Sequence, residues 1–295
     1  MRGMFVDTPA KINLILNIMG RREDGYHTLR SVMQTVSLYD RVLVRPTEGG
    51  GIVLGCNLPW LPRDRRNLAW RAAESFFDAA GMPCPGLAIH IKKTIPVGAG
   101  MAGGSTDAAA VLRILSALYP GVLTDERLMA LALSLGADVP FCMRGGAMLA
   151  EGIGEELTQV DAMPDCPIVI CKPPISVSTK RAYELVDAYR DAPPPYPIEP
   201  LLAAMRGGDT AGVARSLGNT MEPPLFVERP RIGEIKAQLL SLGAQGAVMS
   251  GSGSAVLGIF EHDAAAQHAE AELKKRWREV FRVRPVAQLD PVRRE

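Results

Sequence analysis

The chain has 295 residues, 47% of them hydrophobic, enough for one large or two medium domains with a substantial core. Its 33 Lys and Arg stand against 32 Asp and Glu, so no overall field recruits nucleic acid or an acidic membrane, and any preference for anions must be local. The cysteines, Cys56, Cys84, Cys142, Cys166 and Cys171, form no CxxC pair and the histidines no HExxH, which argues against structural zinc and for a reducing, cytoplasmic setting.

From the amino terminus, Asp7 and Lys11 interrupt the apolar core a secretory leader would need, and no later run reaches membrane-spanning length. In PAKINLILNI, Ile12, Leu14, Leu16 and Ile18 alternate with Lys11, Asn13, Ile15 and Asn17, which predicts a strand with Lys11 and Asn13 on one face. Gly20, then Asp24 with Gly25, supply turn chemistry, and Tyr26 and His27 emerge from the second turn. A ring beside an imidazole at a loop exit either stacks on a base and bonds its edge or packs on the sheet. RVLVRPTEGGGIVLGC reads as a hairpin of two strands around a glycine turn. Leu68, Ala72, Phe76 and Ala79 predict a helix closed by Gly81, with Asn67 placed to cap it or to face a base.

Leu87, Ile89 and Ile91 alternate with polar or small neighbours, again a strand. Gly98, Gly100, Gly103 and Gly104 then crowd a short span with Ser105 and Thr106, and from Asp107 the run AAAVLRILSAL has strong helix propensity. Strand, glycine loop and helix outline an anion site, because glycines let the backbone approach an oxyanion and the helix N-terminus favours negative charge. GAGMAG matches GxGxxG, yet a dinucleotide site needs a second parallel strand ending in an acid, and YPGVLTDERLMALALSL follows instead. No Gly precedes Lys anywhere, which excludes a Walker loop.

Thr124 or Asp125 opens the next predicted helix and Gly136 stands near its end. Asp138 follows, between that helix and an apolar run from Val139, where an acid is costly to bury unless paired or used as a cap. GGAMLAEGIGEELTQV and PIVICKP read as short strands, and STKRAYELVDAYR as a helix opened by Ser178 or Thr179 that carries Tyr183. DAPPPYPIEP cannot continue any helix, so a bounded loop or linker lies there, and a helical half resumes with LLAAMRGGDTAGVARSLGN and RIGEIKAQLLSLGA. GAVMSGSGSAVLGIF gives two strands hinged on Ser250, Gly251, Ser252 and Gly253, a tight hairpin or a second wall of the phosphate site. HDAAAQHAEAELKKRWREV is an amphipathic helix before a last strand, FRVRPV.

Three separated stretches, PAKINL, PVGAGMAGGSTDAAA and MSGSGSAVLG, together resemble the GHMP kinase superfamily, whose phosphate loop is rich in Gly and Ser and lacks the Walker lysine. GRREDGYHTLRSVMQ, DRRNLAWRAA and LGADVPF with MRGGAMLAEGIGE narrow the resemblance to members whose substrate carries cytidine diphosphate. It implies an α+β, two-domain fold: an ATP-binding α/β domain over 1–160 with a left-handed βαβ crossover, and a ferredoxin-like domain over 161–295. It also implies ATP-dependent phosphorylation of the 2-hydroxyl of a cytidine-diphosphate-linked methylerythritol in non-mevalonate isoprenoid precursor synthesis. Mg2+ would accompany ATP, with no prosthetic group, no nucleic-acid or membrane partner, and a monomer or weak homodimer.

By position, the family's catalytic pair falls on Lys11 and Asp138, and its cytosine contacts on Tyr26 and His27, with Tyr183 on the base's other face. Asn13 and Thr179 fall at the methylerythritol end and Asn67 at the adenine. The ATP loop spans Pro96, Val97, Gly98, Ala99, Gly100, Met101, Ala102, Gly103, Gly104, Ser105 and Thr106, the last two being candidates for the metal. Met101 and Ala102 stand where many members have Leu and Gly, and Ser254 and Ala255 where Pro and Thr are frequent. The stretch 193–221 matches least well and supplies no site residue. A kinase for mevalonate, homoserine or a sugar would leave DGYH unexplained, and a non-catalytic regulator would be expected to lack Lys11 or Asp138.

Overall fold

In the computed structural model, which describes residues 3–295, two sheets organise the chain. β1 (Met4–Arg21) and β2 (His27–Pro46) form a long antiparallel ribbon with register shifts at Pro9/Ala10, Asn13/Ile15 and Ile18/Gly20. Lys11 and Asn13 share a face as expected, but the bulge after Asn13 breaks the simple alternation, and Leu14 and Ile15 are both buried. Gly20 lies inside β1 at the last of these shifts rather than in a turn; Asp24 and Gly25 make the turn.

β3 (Ile52–Cys56), α1 (Leu68–Ala80) and β4 (Leu87–Lys92) correct the expected hairpin. Both strands of RVLVRPTEGGGIVLGC exist, yet they do not pair: β4 inserts between them, antiparallel to β2 and parallel to β3. Leu87, Ile89 and Ile91 bury one face of β4 against Ala72, Phe76 and Phe77 of α1, and a central position serves that burial best. The result is a βαβ unit with its parallel strands adjacent.

α2 (Gly103–Leu118), α3 (Asp125–Leu135) and α4 (Val139–Arg144) pack with α1 on this sheet, which β5 (Ala147–Glu151) and β6 (Glu156–Gln159) extend from β2. α2 starts four residues before Asp107, so Gly103 and Gly104 form its first turn despite their low propensity.

The second sheet has the order β11-β7-β10-β9, every pair antiparallel. β7 (Ile168–Lys172) leads into α5 (Thr179–Ala188), α6 (Glu199–Arg206), α7 (Thr210–Arg215), β8 (Gly218–Asn219), α8 (Glu222–Glu228) and α9 (Pro230–Ser241). β9 (Gly246–Met249) and β10 (Val256–Ile259) follow as a hairpin, then α10 (Asp263–Lys274) and β11 (Glu279–Val283). The first strand lies beside the last, and the two hairpin strands fill the other side, as in a ferredoxin-like split βαβ. Ala10 and Ile12 of β1 share one apolar cluster with Ile168, Ile170, Val248 and Leu257, so a common core fastens the two sheets together. β12 (Arg293–Arg294) and β8 both return to β1.

Candidate functional site

Between the two sheets opens a cleft of about 570 Å3. Its walls come from β1, the glycine loop, the start of α1, the residues before α4, the start of α5 and the β9–β10 turn.

The loop needs its glycines. Gly98 and Gly100 adopt φ of 64° and 74°, and a side-chain carbon on Gly100 would run into the Ser250 carbonyl oxygen. Ser250 Oγ donates to Gly100 O at 2.9 Å, Ala255 N to Ala99 O at 3.1 Å, and Lys11 N to Met101 O at 3.3 Å. Ala99 and Met101 are buried, which leaves the backbone for the cleft. The Ser250–Gly253 turn therefore does both things expected of it, closing a hairpin and walling the loop. Ala102, the N-cap of α2, makes no side-chain capping bond, so the first-turn N–H groups and the positive end of a 16-residue helix are left for an anion. Ala102 is also the one non-glycine residue at positive φ, 57°, among the described residues.

Lys11 and Asp138 meet at the end of this loop. The Lys11 ammonium donates to Asn13 Oδ1 at 2.6 Å, Asn13 Nδ2 donates to Ser31 Oγ at 2.8 Å, and Asp138 Oδ2 lies 3.9 Å from Lys11 Nζ. Asp138 precedes α4 but makes no capping bond, and its side chain is 43% exposed against 5% for Lys11. The carboxylate is thus neither a cap nor locked in a tight pair. Nearby, burial pushes the Cys142 thiol up to about 12, with the charge of Asp138 adding, so this cysteine is inert. Burial, again helped by Asp138, also lifts Tyr183 to about 12 and keeps the phenol neutral.

The other expected residues divide. Asn13, Thr179, Tyr183, Asn67 and residues 96–105 line the cleft. Thr106 does not: it is buried and donates to Pro9 O at 2.7 Å, tying α2 to β1, whereas Ser105 faces the cleft. Asn67 is the α1 cap, accepting from Ala69 N at 3.0 Å and donating to Pro62 O at 3.0 Å, which leaves one N–H and one lone pair. Leu61, Pro62 and Leu68 give its surroundings an apolar slot. Thr179 Oγ1 lies 3.3 Å from Ser252 Oγ across the mouth.

Tyr26, 61% exposed, and the buried His27 both stand outside the lining; the ring packed on Tyr183 is His27, with centroids 4.5 Å apart. Among the described residues no group of three or more His, Cys, Asp or Glu is arranged to hold a metal.

Sequence reasoning missed Lys93. It lines the cleft but is buried, bonded to Asp40, to Asp107 at 2.8 Å and to Gly103 O at 3.1 Å. Burial opposes its charge, yet Asp107 and Asp40 outweigh that and hold Lys93 above its usual range. Burial raises Asp107 to about 8, with Asp40 adding and Lys93 opposing, and one of its oxygens, Oδ1, has no partner. The available signal was an acid in each of two apolar stretches, Asp40 and Asp107, with a lysine at the end of a strand between them.

Comparison with known proteins bears on the fold and the family. The GHMP kinases N terminal domain family matches residues 67–146 and the GHMP kinases C terminal family residues 201–279. A protein of Clostridium beijerinckii named 4-diphosphocytidyl-2-C-methyl-D-erythritol kinase is 41% identical over 283 residues, 96% of this chain and 100% of its own. One of the same name from Clostridium kluyveri is 40% identical with the same coverage. Among solved structures, a 4-(cytidine 5'-diphospho)-2C-methyl-D-erythritol kinase superposes with a TM-score of 0.82 at 38% identity, covering 96% of this chain and 99% of that one. Homoserine kinase from Cytophaga hutchinsonii, TM-score 0.74 at 20% identity over 99% and 97% of the two chains, shares the fold.

Proposed function

The chain belongs to the 4-diphosphocytidyl-2-C-methyl-D-erythritol kinase family of GHMP kinases, and from that premise we propose the reaction it carries out. It transfers the γ-phosphoryl group of ATP to the 2-hydroxyl of 4-diphosphocytidyl-2-C-methyl-D-erythritol, a step of non-mevalonate isoprenoid precursor synthesis. The observation that carries the residue roles is the meeting of Lys11 and the uncapped Asp138 beside the glycine loop.

In this reading the triphosphate lies on the backbone N–H groups of residues 98–105 and the N-terminus of α2, with adenine in the slot of Leu61, Pro62, Asn67 and Leu68. Asp138 accepts the proton of the attacking hydroxyl. The hydroxyl oxygen forms its bond to the γ-phosphorus as the bond to the β–γ bridging oxygen breaks, and ADP leaves. Lys11, held by Asn13 and Ser31, places its charge against the transferring group. A tertiary alcohol is a crowded nucleophile, so alignment carries much of the rate. Thr179 and Asn13 orient the polyol, and Tyr26, His27 and Tyr183 serve the cytosine.

Mg2+ suits this donor set. The ion binds through one or two protein oxygens, keeps several waters and shares the substrate's phosphates, so it needs no dedicated cluster. Ser105 and the half-exposed Asp138 carboxylate are oxygen donors on the cleft wall. Bound there, the ion would neutralise phosphate charge. Thr106 is withdrawn as a ligand, its hydroxyl being spent on Pro9.

We also divide the chain into an N-terminal ATP-binding domain, residues 1–160, and a C-terminal GHMP kinase domain, residues 161–295, on the ground that β1 through β6 precede this boundary and the second sheet follows it. A reducing, cytoplasmic setting is supported by five unpaired cysteines, three of them with thiols pushed to about 12 by burial.

The test is incubation with ATP and the cytidine substrate, followed by phosphorus NMR. A new monoester resonance coupled to the 2-position, with ADP formed in equal amount, is expected. No turnover of the cytidine compound together with consumption of mevalonate or homoserine would overturn the substrate.

A further inference from the structure

Against Tyr183, at the edge of the cleft, lies a contact that phosphoryl transfer does not use. Tyr183 and Asp187 are four residues apart on α5 and so share a helix face, and both meet His27 at the start of β2. The imidazole stacks on Tyr183 with ring planes 15° apart, while Nε2 lies 2.6 Å from Asp187 Oδ1. Arg21 Nη1 stands 3.5 Å from the other carboxylate oxygen. The His27 side chain is 7% exposed, so this arrangement holds its face and one edge at once.

An ionised carboxylate only accepts hydrogen bonds, which puts the ring proton on Nε2. Nδ1 is then the acceptor of the neutral ring. Among the described residues Nδ1 has no hydrogen-bond partner, yet it is not among the buried unpartnered atoms, so it is not fully enclosed.

We propose that Asp187 is a positioning residue for base selection: by accepting the hydrogen bond of Nε2–H it fixes His27 with Nδ1 as acceptor, suited to the exocyclic amino group of cytosine. Uracil carries a carbonyl oxygen at that position and would set acceptor against acceptor. This rests on the cytidine reading above and adds to it the group that makes the imidazole selective. A mismatch of that kind is worth on the order of tenfold to hundredfold in binding.

The experiment compares the full chain with D187A and D187N, using CDP and UDP as competitors of the cytidine substrate and nitrogen-15 NMR of the imidazoles. The wild type should prefer CDP by about tenfold or more and show His27 protonated at Nε2. D187A should bring CDP and UDP within about threefold of each other, mix the tautomers, and raise KM about tenfold with little change in kcat. D187N, whose amide oxygen still accepts from Nε2, should recover the preference. Should D187A keep both the CDP preference and the Nε2 tautomer, Asp187 has no such role, although the cytidine reading stands. Equal loss of preference in D187A and D187N with the tautomer unchanged means packing alone and also overturns it. A wild type inhibited by neither nucleotide would remove the cytidine reading and this proposal together.

Discussion

Two lysines line the same cleft and each faces aspartate, yet only one has all its ammonium hydrogens engaged. Lys93 spends its three ammonium hydrogens on Asp40, Asp107 and the Gly103 carbonyl, and all three side chains are buried. Lys11 has one short bond, to Asn13, and its distance to Asp138, 3.9 Å, is beyond a hydrogen bond. Closure and desolvation turn the first cluster into a strut under the glycine loop. Openness leaves the second able to take a proton. Residue type does not separate a closed ion cluster from an open pair; saturation of the donors and access to water do.

The sharpest way to break the contrast is Lys93→Met, which leaves the Asp40 and Asp107 side chains buried without their shared partner. Loss of about 3–5 kcal/mol of stability is expected in urea unfolding. Asp138→Asn should do the opposite, costing roughly a hundredfold or more in turnover by coupled ADP assay while unfolding and ATP affinity stay close to wild type. A near-normal rate would remove Asp138 as the base.

Asp107 offers a pH test of the buried side. Folded, it keeps its proton to about 8, against an ordinary value of 3.8. Between those values the folded protein binds more protons than the unfolded chain, so this group's contribution to stability is full below 3.8 and declines as pH rises to about 8. Asp107→Asn should flatten that part of the stability–pH curve, and an unchanged slope in urea titrations at pH 5 and 8 would contradict it. The smallest effect belongs to Ala102→Gly. Relief of its left-handed backbone and the added freedom of the unfolded chain each amount to about 1 kcal/mol with opposite signs, so melting should move little. A large rise would mean that the strain is greater than this.

Much of the site was legible because its parts announce themselves locally. Glycines 98, 100, 103 and 104 before a strong helix former, and a Ser-Gly turn between two apolar runs, need only their neighbours to be read. Where the reading failed, the deciding contact was distant. Pairing of β4 between β2 and β3 depends on burying Ile89 against a helix, and nothing in RVLVRPTEGGGIVLGC excludes a hairpin. Thr106 looked like part of the loop until its hydroxyl proved committed to Pro9, and Asp187 gained meaning only once Tyr183 and His27 were stacked.

By itself, then, the order of residues determined where most strands, turns and helices lie, that a glycine loop without a Walker lysine leads into α2, and which lysine and which acid to watch. Tertiary structure alone decided strand order, the union of the two sheets through one core, and which charged groups are closed off. The physical reason is range: backbone propensity and turn chemistry act over a few residues, whereas desolvation and hydrogen-bond saturation depend on segments that meet only after the chain has folded.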